Sequence, residues 1–85
     1  MAVAHIFGQV LRTIREQHGL SQEQLGLESG YHRTYISMLE RGQKTPTLTT
    51  ILQLASVLNI SAAELVRQVE NQLQEEVDTD VLSDG

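Results

Sequence analysis

Apolar residues recur along the chain at the three- and four-residue intervals that place side chains on one face of an α-helix. They fall into five groups, separated by short polar segments that contain glycine, serine or threonine. The first group is Phe7, Val10, Leu11 and Ile14, and its stripe ends before Gly19, a suitable residue to follow a helix C-terminus. No segment shows the sustained alternation that predicts β-strands. The pattern therefore predicts an all-α domain of five helices.

The four later helices are predicted from their apolar residues and from the signals at their ends. The second helix carries Leu25 and Leu27 and stops at Ser29 and Gly30. The third helix runs from about His32 to Arg41, buries Ile36 and Leu39, and stops at Gly42. The fourth contains Leu48, Ile51, Leu52, Ala55 and Leu58, and the fifth contains Leu65, Val66, Val69 and Leu73. Capping boxes formed by Ser21 with Gln24 and by Ser61 with Glu64 open the second and fifth helices, and Thr47 is the expected N-cap of the fourth.

The segment at about 22–41 has the form of a helix-turn-helix, because a short helix, a glycine-centred turn and a second helix follow one another. Gly26 is expected where the two helices cross, since only a small residue fits at a close crossing. Gly30 can adopt the left-handed backbone conformation that a tight reversal requires. Ile36 and Leu39 are expected to point into the angle between the helices.

The opposite face of the second motif helix carries Arg33, Thr34, Ser37, Met38 and Arg41. These side chains are mostly hydrogen-bond donors, and none is acidic. Such a face suits the major groove of DNA, where guanine offers two acceptors to arginine and thymine offers its methyl group to threonine. The sequence therefore predicts a DNA-reading helix.

Composition limits the function in other respects. The chain has 85 residues and no cysteine, which fits one domain and excludes disulfides, thiolate metal sites and a cysteine nucleophile. No apolar run is long enough for a membrane helix, and no basic region precedes the first apolar stretch as in a secretory signal. We therefore expect a cytoplasmic protein without a membrane partner, associated with the nucleoid when bound to DNA.

The net charge of −5 by itself argues against nucleic-acid binding, but the position of the acidic residues removes this objection. Positions 1–69 hold six basic and five acidic residues, whereas positions 70–85 hold six acidic residues and no basic one. We accordingly divide the chain into a DNA-binding domain at 1–73 and an acidic, frayed tail at 74–85. Two roles for the tail stay open: a solvated end, or an arm that docks on a basic partner or masks a basic surface.

Several motifs in fixed order resemble the Cro/CI-type (Xre family) DNA-binding domain, which has a five-helix lambda-repressor-like fold. They are LRTIREQHGLSQEQL, the turn glycine, YISMLERG, PTL before the fourth helix, and the S-x-x-E start of the fifth. The resemblance covers roughly Phe7 to Val69. The RTYIS segment is similar to controller proteins of restriction–modification systems and to many small stand-alone repressors.

The resemblance implies roles for residues that match the family pattern. Arg33 and Thr34 match base-reading positions, and Ser37 can reach a base edge or a phosphate. Met38 departs from the pattern, since many relatives have a polar residue there, and it either touches a thymine methyl or is simply exposed. Residues that match phosphate-contacting positions, or lie beside them, are Gln22, His32, Tyr35, Arg41, Lys44 and Thr47. Tyr35 has the alternative of packing against the second helix, and the imidazole of His32 or a water molecule caps the third helix.

Two further features follow from comparison with the family pattern. Arg15 and Glu40 match a structural ion pair that ties the first helix to the end of the recognition helix. Gly26 replaces the more usual alanine, which keeps the small size but lowers helix propensity by about 1 kcal/mol.

A monomer contacts too few base pairs for useful specificity, so a homodimer that binds two half-sites is expected. We predict its interface at the fifth helix and the preceding turn, with Ile60, Leu65, Val66 and Val69.

The sequence thus predicts a non-enzymatic transcriptional regulator of double-stranded DNA, expected to repress from a pseudo-palindromic operator without a cofactor. The three histidines lack the spacing of a metal site. The alternative is an antitoxin or adaptor with the same fold, which binds a protein partner through the fifth helix or the acidic tail.

Overall fold

The computed structural model describes the backbone of residues 2–84 and the side chains of residues 2–76. Five helices make up this part of the chain, and it contains no strand. They are α1 (Val3–Gln17), α2 (Gln22–Ser29), α3 (Arg33–Glu40), α4 (Leu48–Val57) and α5 (Ala62–Asp84). The predicted all-α, five-helix architecture is confirmed. Because α5 continues to Asp84, the backbone has no break at the predicted 73/74 boundary, and the side chains of 77–85 lie outside the described residues.

The helix starts follow from local side-chain chemistry. Ser21 Oγ accepts from the Gln24 amide at 3.0 Å and Gln24 Oε1 accepts from the Ser21 amide at 2.8 Å, so the predicted capping box is present. Thr47 Oγ1 accepts from the Thr50 amide at 3.1 Å at the start of α4, and Ser61 Oγ accepts from the Glu64 amide at 3.0 Å. These side chains satisfy amide groups that have no partner within their own helices.

One hydrophobic core joins all five helices. α1 packs against α3 and α5, α2 against α3 and α4, and α4 against α5. The buried apolar residues are Ile6, Phe7, Val10, Leu11, Ile14, Leu25, Ile36, Leu39, Leu54, Ala55, Leu58, Leu65 and Val69. The predicted inward positions of Ile36 and Leu39 are confirmed, and both side chains are completely buried.

Not every apolar residue of the predicted stripes lies in this core. Leu27 is 76% exposed, because it follows Leu25 by two positions and so lies on the far side of α2. Leu48 and Leu52, one turn apart on α4, are also exposed. Leu54, which was not part of the predicted stripe, is completely buried in their place.

Two glycines allow backbones to approach closely. A Cβ atom at Gly26 would lie 2.6 Å from the carbonyl oxygen of Tyr31, which confirms the predicted close crossing of α2 with the start of α3. A Cβ atom at Gly8 would collide with the carbonyl oxygens of Leu39 and Glu40. The second contact sets α1 directly against the end of α3.

No single helix among the described residues is long and apolar enough to cross a membrane. α4 and the segment Ala62–Glu76 reach such a length and composition only as a pair, bent by 108°.

Candidate nucleic-acid interface

The third helix separates its buried face from its exposed face as the sequence predicts. Gly30, with φ of 83°, reverses the chain after α2, and α3 then begins at Arg33. The Arg33 and Thr34 side chains are exposed, and Ser37 and Met38 are half-buried. The helix is therefore held by its inner face and presents its outer face to solvent.

Five of the predicted DNA-contacting residues line one shallow cleft. They are Gln22, Arg33, Thr34, Ser37 and Arg41, contributed by α2, α3 and the residue that follows α3. Hydrogen-bond donors thus lie beside one another along the exposed edge of α3. Residues distant in sequence, such as Gln22 and Arg41, reach this surface because α2 and α3 cross at Gly26.

Beneath the cleft, Arg15 and Glu40 form the predicted structural ion pair. Arg15 Nε donates to Glu40 Oε2 at 2.6 Å and Nη2 donates to Oε1 at 3.0 Å, and both residues are buried. The hydrogen bond and charge of Glu40 raise the pKa of Arg15 above its usual value, despite the opposing effect of burial. Arg15 Nη1 also donates to the carbonyl oxygen of Leu20 at 2.8 Å, which holds the start of α2 in place.

The same carboxylate fixes the side chain of Gln22. Gln22 Nε2 donates to Glu40 Oε1 at 3.0 Å. A primary amide has two N–H donors, so one remains available for a ligand while the other is bound to Glu40. The sequence did not reveal this contact, because nothing in local spacing relates position 22 to position 40.

His32 caps α3 with its own side chain. The imidazole Nδ1 accepts from the Thr34 amide at 3.1 Å, so the imidazole rather than water is the cap. A ring nitrogen that accepts a hydrogen bond carries no proton, and the neutral ring then carries its proton on Nε2. This exposed N–H is a suitable donor to a phosphate oxygen.

Tyr35 belongs to a cluster of hydroxyl groups beside α3. Its ring lies 5.1 Å from that of Tyr31, centroid to centroid, and its hydroxyl is 3.3 Å from Thr50 Oγ1. Tyr31 Oη and Thr47 Oγ1 lie 3.0 Å and 3.1 Å from the same Thr50 oxygen. Tyr35 therefore packs on Tyr31, in the turn after α2, and remains half-exposed.

The loop after α3 holds the other predicted phosphate contacts. Arg41 and Lys44 are exposed, and Arg41 Nε makes a 3.4 Å hydrogen bond to the Ser37 carbonyl oxygen. Gly42, with φ of 74°, lets this loop turn against α1, where a Cβ atom would lie 2.9 Å from His5 Cα.

The residues predicted for a dimer interface do not all reach the surface. Leu65 is completely buried and Val69 is 7% exposed, so both side chains belong to the core of the same chain. The prediction that Leu65 lies in an interface is wrong, because its completely buried side chain has no surface to offer a partner, and Val69 offers only its edge. Val66 is 46% exposed and Ile60 is half-buried. Val66 lines an apolar groove with Val3, Phe7, Thr45, Pro46, Ile51 and the edge of Val69.

Comparison with known proteins gives consistent matches. A family model described as "Helix-turn-helix" matches residues 11–65. The control protein C.SmaI of Serratia marcescens is 42% identical over 66 residues, which cover 78% of this chain and 79% of that protein. The HTH-type transcriptional regulator y4dJ of Sinorhizobium fredii is 38% identical over 66 residues, covering 78% of this chain and 86% of that protein.

A solved structure agrees with both sequence matches. The restriction–modification controller protein C.AhdI of Aeromonas hydrophila superposes with a TM-score of 0.74 at 46% identity, over 76% of this chain and 98% of its own. This chain is thus similar in sequence to a transcriptional regulator and a control protein, and in fold to a controller protein. The antitoxin or adaptor alternative is not favoured.

Proposed function

Because this chain belongs to the helix-turn-helix family and is a DNA-binding transcriptional regulator, we propose that it acts as a homodimeric repressor on a pseudo-palindromic operator. In this proposal α3 lies in the major groove. Arg33 pairs with the O6 and N7 acceptors of guanine, and Thr34 contacts a thymine methyl. Ser37 and Met38, one turn further along, face a base edge and a second methyl group.

The cleft beside α3 is the observation that carries this proposal. Gln22, Arg33, Thr34, Ser37 and Arg41 line it together, and the carboxylate beneath it, Glu40, is buried and paired with Arg15. Because this acidic group is neutralised inside the protein, the cleft presents donors and positive charge to DNA. A phosphate or a base edge is the complementary ligand.

Phosphate contacts surround the base-reading residues in the proposed complex. Gln22 offers its second amide N–H near the N-terminus of α2, where the helix dipole favours an anion. His32 offers Nε2–H, and Tyr35 offers its hydroxyl. Beyond α3, Arg41 and Lys44 approach the backbone through their charged groups, and Thr47 through its main-chain amide, because its hydroxyl is bonded to Thr50. The two cations contribute the salt dependence expected of counterion release.

A homodimer would place two copies of α3 on half-sites about one helical turn apart. The exposed Val66 and the apolar groove beside it support an interface there, together with the half-buried Ile60. Removal of this apolar surface from water favours association. We place the regulator in the cytoplasm, on the nucleoid when bound, with no cofactor and no catalytic step.

Selection of bound sequences from random DNA tests the proposal directly. We expect enrichment of a two-fold symmetric site, and absence of any enriched sequence would refute the proposed function and favour a protein-binding role.

Arg33→Ala should then weaken binding to the selected site by about tenfold or more, since a bidentate guanine contact contributes about 1–3 kcal/mol. Arg12→Ala is the matched control: it removes the same charge from an exposed residue of α1 that pairs with Glu16. Equal losses in the two variants would indicate a purely electrostatic effect rather than base reading. Circular dichroism should show that both variants fold.

A further inference from the structure

The hydroxyl cluster beside the recognition helix contains one buried member, Thr50, which is 3% exposed. Thr50 Oγ1 has three hydroxyl neighbours, Tyr31 Oη at 3.0 Å, Thr47 Oγ1 at 3.1 Å and Tyr35 Oη at 3.3 Å. A threonine hydroxyl can donate one hydrogen bond and accept two, so three partners use its full capacity. Thr50 is therefore the centre through which the other three hydroxyl groups are connected.

The hydroxyl cluster has one hydrogen that it can offer to a ligand. Four hydroxyl groups contribute four hydrogens, and the three contacts that join them to Thr50 use one hydrogen each. One hydrogen is left to point out of the cluster. It does not belong to Thr50, because a buried threonine that accepted three bonds would exceed its two lone pairs. The free hydrogen therefore lies on one of the three outer groups.

We propose that Thr50 is a positioning residue for DNA binding, which directs the remaining hydrogen to Tyr35 and from there to a phosphate oxygen. This inference rests on the proposed function. Tyr31 and Thr47 donate to Thr50, Thr50 donates to Tyr35 Oη, and the Tyr35 hydroxyl donates outward. Every bond in this order has one donor and one acceptor, and Tyr35 is the member that belongs to the recognition helix.

Two physical effects make the order useful. Thr50 is held in the first turn of α4, where its own amide donates to Thr47 Oγ1 at 3.1 Å, so its hydroxyl is a fixed reference point. A hydroxyl that accepts a hydrogen bond is also polarised and becomes a better donor. Thr50 would thus both orient and strengthen the contact from Tyr35 to an anionic oxygen.

The test measures affinity for the operator selected from random DNA. Thr50→Val keeps the shape of the side chain and removes the hydroxyl that orients Tyr35, and we expect binding to weaken by about fivefold, less than the loss of the whole Tyr35–phosphate hydrogen bond. Thr50→Ser restores the hydroxyl and should bind within about twofold of wild type. Thr49→Val is the matched control, since the same change at the exposed neighbouring position should leave affinity unchanged.

Two readouts separate positioning from a general loss of structure. In a Tyr35→Phe background, Thr50→Val should have less than about a twofold further effect, because the group through which it acts is gone. The dependence of affinity on salt should keep its wild-type slope, since no charge is lost, whereas Lys44→Ala should lower the slope by about one.

Several outcomes would overturn the inference. They are wild-type affinity in Thr50→Val, equal losses of affinity in Thr50→Val and Thr50→Ser, or additive losses of affinity when Thr50→Val is combined with Tyr35→Phe.

If Thr50→Val does not fold, two conservative variants decide. Tyr35→Phe should lose about tenfold in DNA affinity and Tyr31→Phe less than about twofold, and equal losses would reject the proposed order of donors. A wild-type protein that selects no DNA would overturn the proposed function and this inference together, whereas the other outcomes leave the proposed function intact.

Discussion

Arg15 and Glu40 lie 25 positions apart in sequence and meet in the interior through two hydrogen bonds, of 2.6 Å and 3.0 Å. Arg15 belongs to α1 and Glu40 is the last residue of α3. The pair therefore fixes the end of the recognition helix to the centre of the domain. Glu40 also accepts from Gln22 of α2, so three helices share one carboxylate.

Loss of Glu40 should destabilise the fold strongly. Glu40→Ala leaves the guanidinium of Arg15 buried without its counter-charge, and we expect the free energy of unfolding to fall by about 3 kcal/mol. Chemical denaturation at neutral pH measures this change. Arg12→Ala removes one partner of the exposed Arg12–Glu16 pair and should cost less than about 1 kcal/mol. Similar losses in the two variants would contradict the structural role of the buried pair.

The pH dependence of the Arg15 contribution follows from the raised pKa of its guanidinium. A group with a higher pKa in the folded state stabilises fully below its unfolded value, and loses this effect only as the pH rises through the folded value. Since arginine stays protonated in the working range of proteins, the Arg15 contribution should be constant from neutral to mildly alkaline pH. Denaturation curves at several pH values, compared with those of Arg15→Met, measure it.

Gly26→Ala sets two effects against each other. Alanine improves helix propensity by about 1 kcal/mol, but its Cβ would lie 2.6 Å from the carbonyl oxygen of Tyr31, a backbone atom that cannot rotate away. Overpacking of this kind costs about 1–3 kcal/mol, so we expect the free energy of unfolding to fall by about 1 kcal/mol in total. Thermal unfolding measures the difference, and a more stable variant would show that the turn relaxes easily.

Gly19→Ala is the companion variant, because Gly19 has φ of 69° and open space around its Cβ position. We expect Gly19→Ala to lower the free energy of unfolding by about 1 kcal/mol, and this effect should come only from the left-handed backbone conformation that alanine disfavours.

His32 permits its two roles to be separated. His32→Ala removes the cap of α3 and should lower stability by about 1 kcal/mol, as well as weakening DNA binding. His32→Ser keeps a side-chain acceptor for the Thr34 amide but removes Nε2–H, so stability should be retained while DNA affinity still falls severalfold. Wild-type affinity in the serine variant would exclude His32 from the phosphate contacts.

Val66 tests the proposed dimer. Val66→Asp places a charge on the exposed apolar surface of α5, and sedimentation at tens of micromolar should show monomer where wild type shows dimer. Leu27→Asp is the control, since Leu27 is more exposed but lies on α2. A wild-type protein that sediments only as monomer would reject the interface, although not DNA binding itself.

The acidic segment at 74–85 provides a prediction about selectivity. Its deletion should raise binding to unrelated DNA without altering the fold, because negative charge that repels phosphate is removed. Anisotropy titrations with a scrambled duplex measure the effect. Unchanged affinity would leave the segment as a solvated end.

Much of the fold was predictable because its signals are local. The caps at Ser21 and Thr47 depend on residues three positions apart, and the left-handed turn at Gly30 depends on a single residue. The Arg15–Glu40 pair joins distant positions, and it was foreseen only through the family resemblance. Local chemistry therefore explains where the helices begin and end.

Tertiary contacts account for what the sequence did not reveal. Thr50 looks like an ordinary polar residue in the first turn of a helix, and only the packing of Tyr31 and Tyr35 over it makes it a buried centre. Gly8 gives no periodic signal, although its missing side chain lets α1 touch α3. Leu65 and Val66 are adjacent apolar residues, and helical spacing alone did not tell which one faces the core.

The shared carboxylate of Glu40 has a consequence for how sequences are distinguished. Arg15, Gln22 and Glu40 join α1, α2 and α3, so we expect the cleft beside α3 to be rigid before DNA binds. Little conformational entropy of the protein is then lost on binding. A stiff protein does not adjust to its ligand, so the duplex must adopt the required shape. Operators that bend or twist easily should then be preferred even at base pairs the protein never touches.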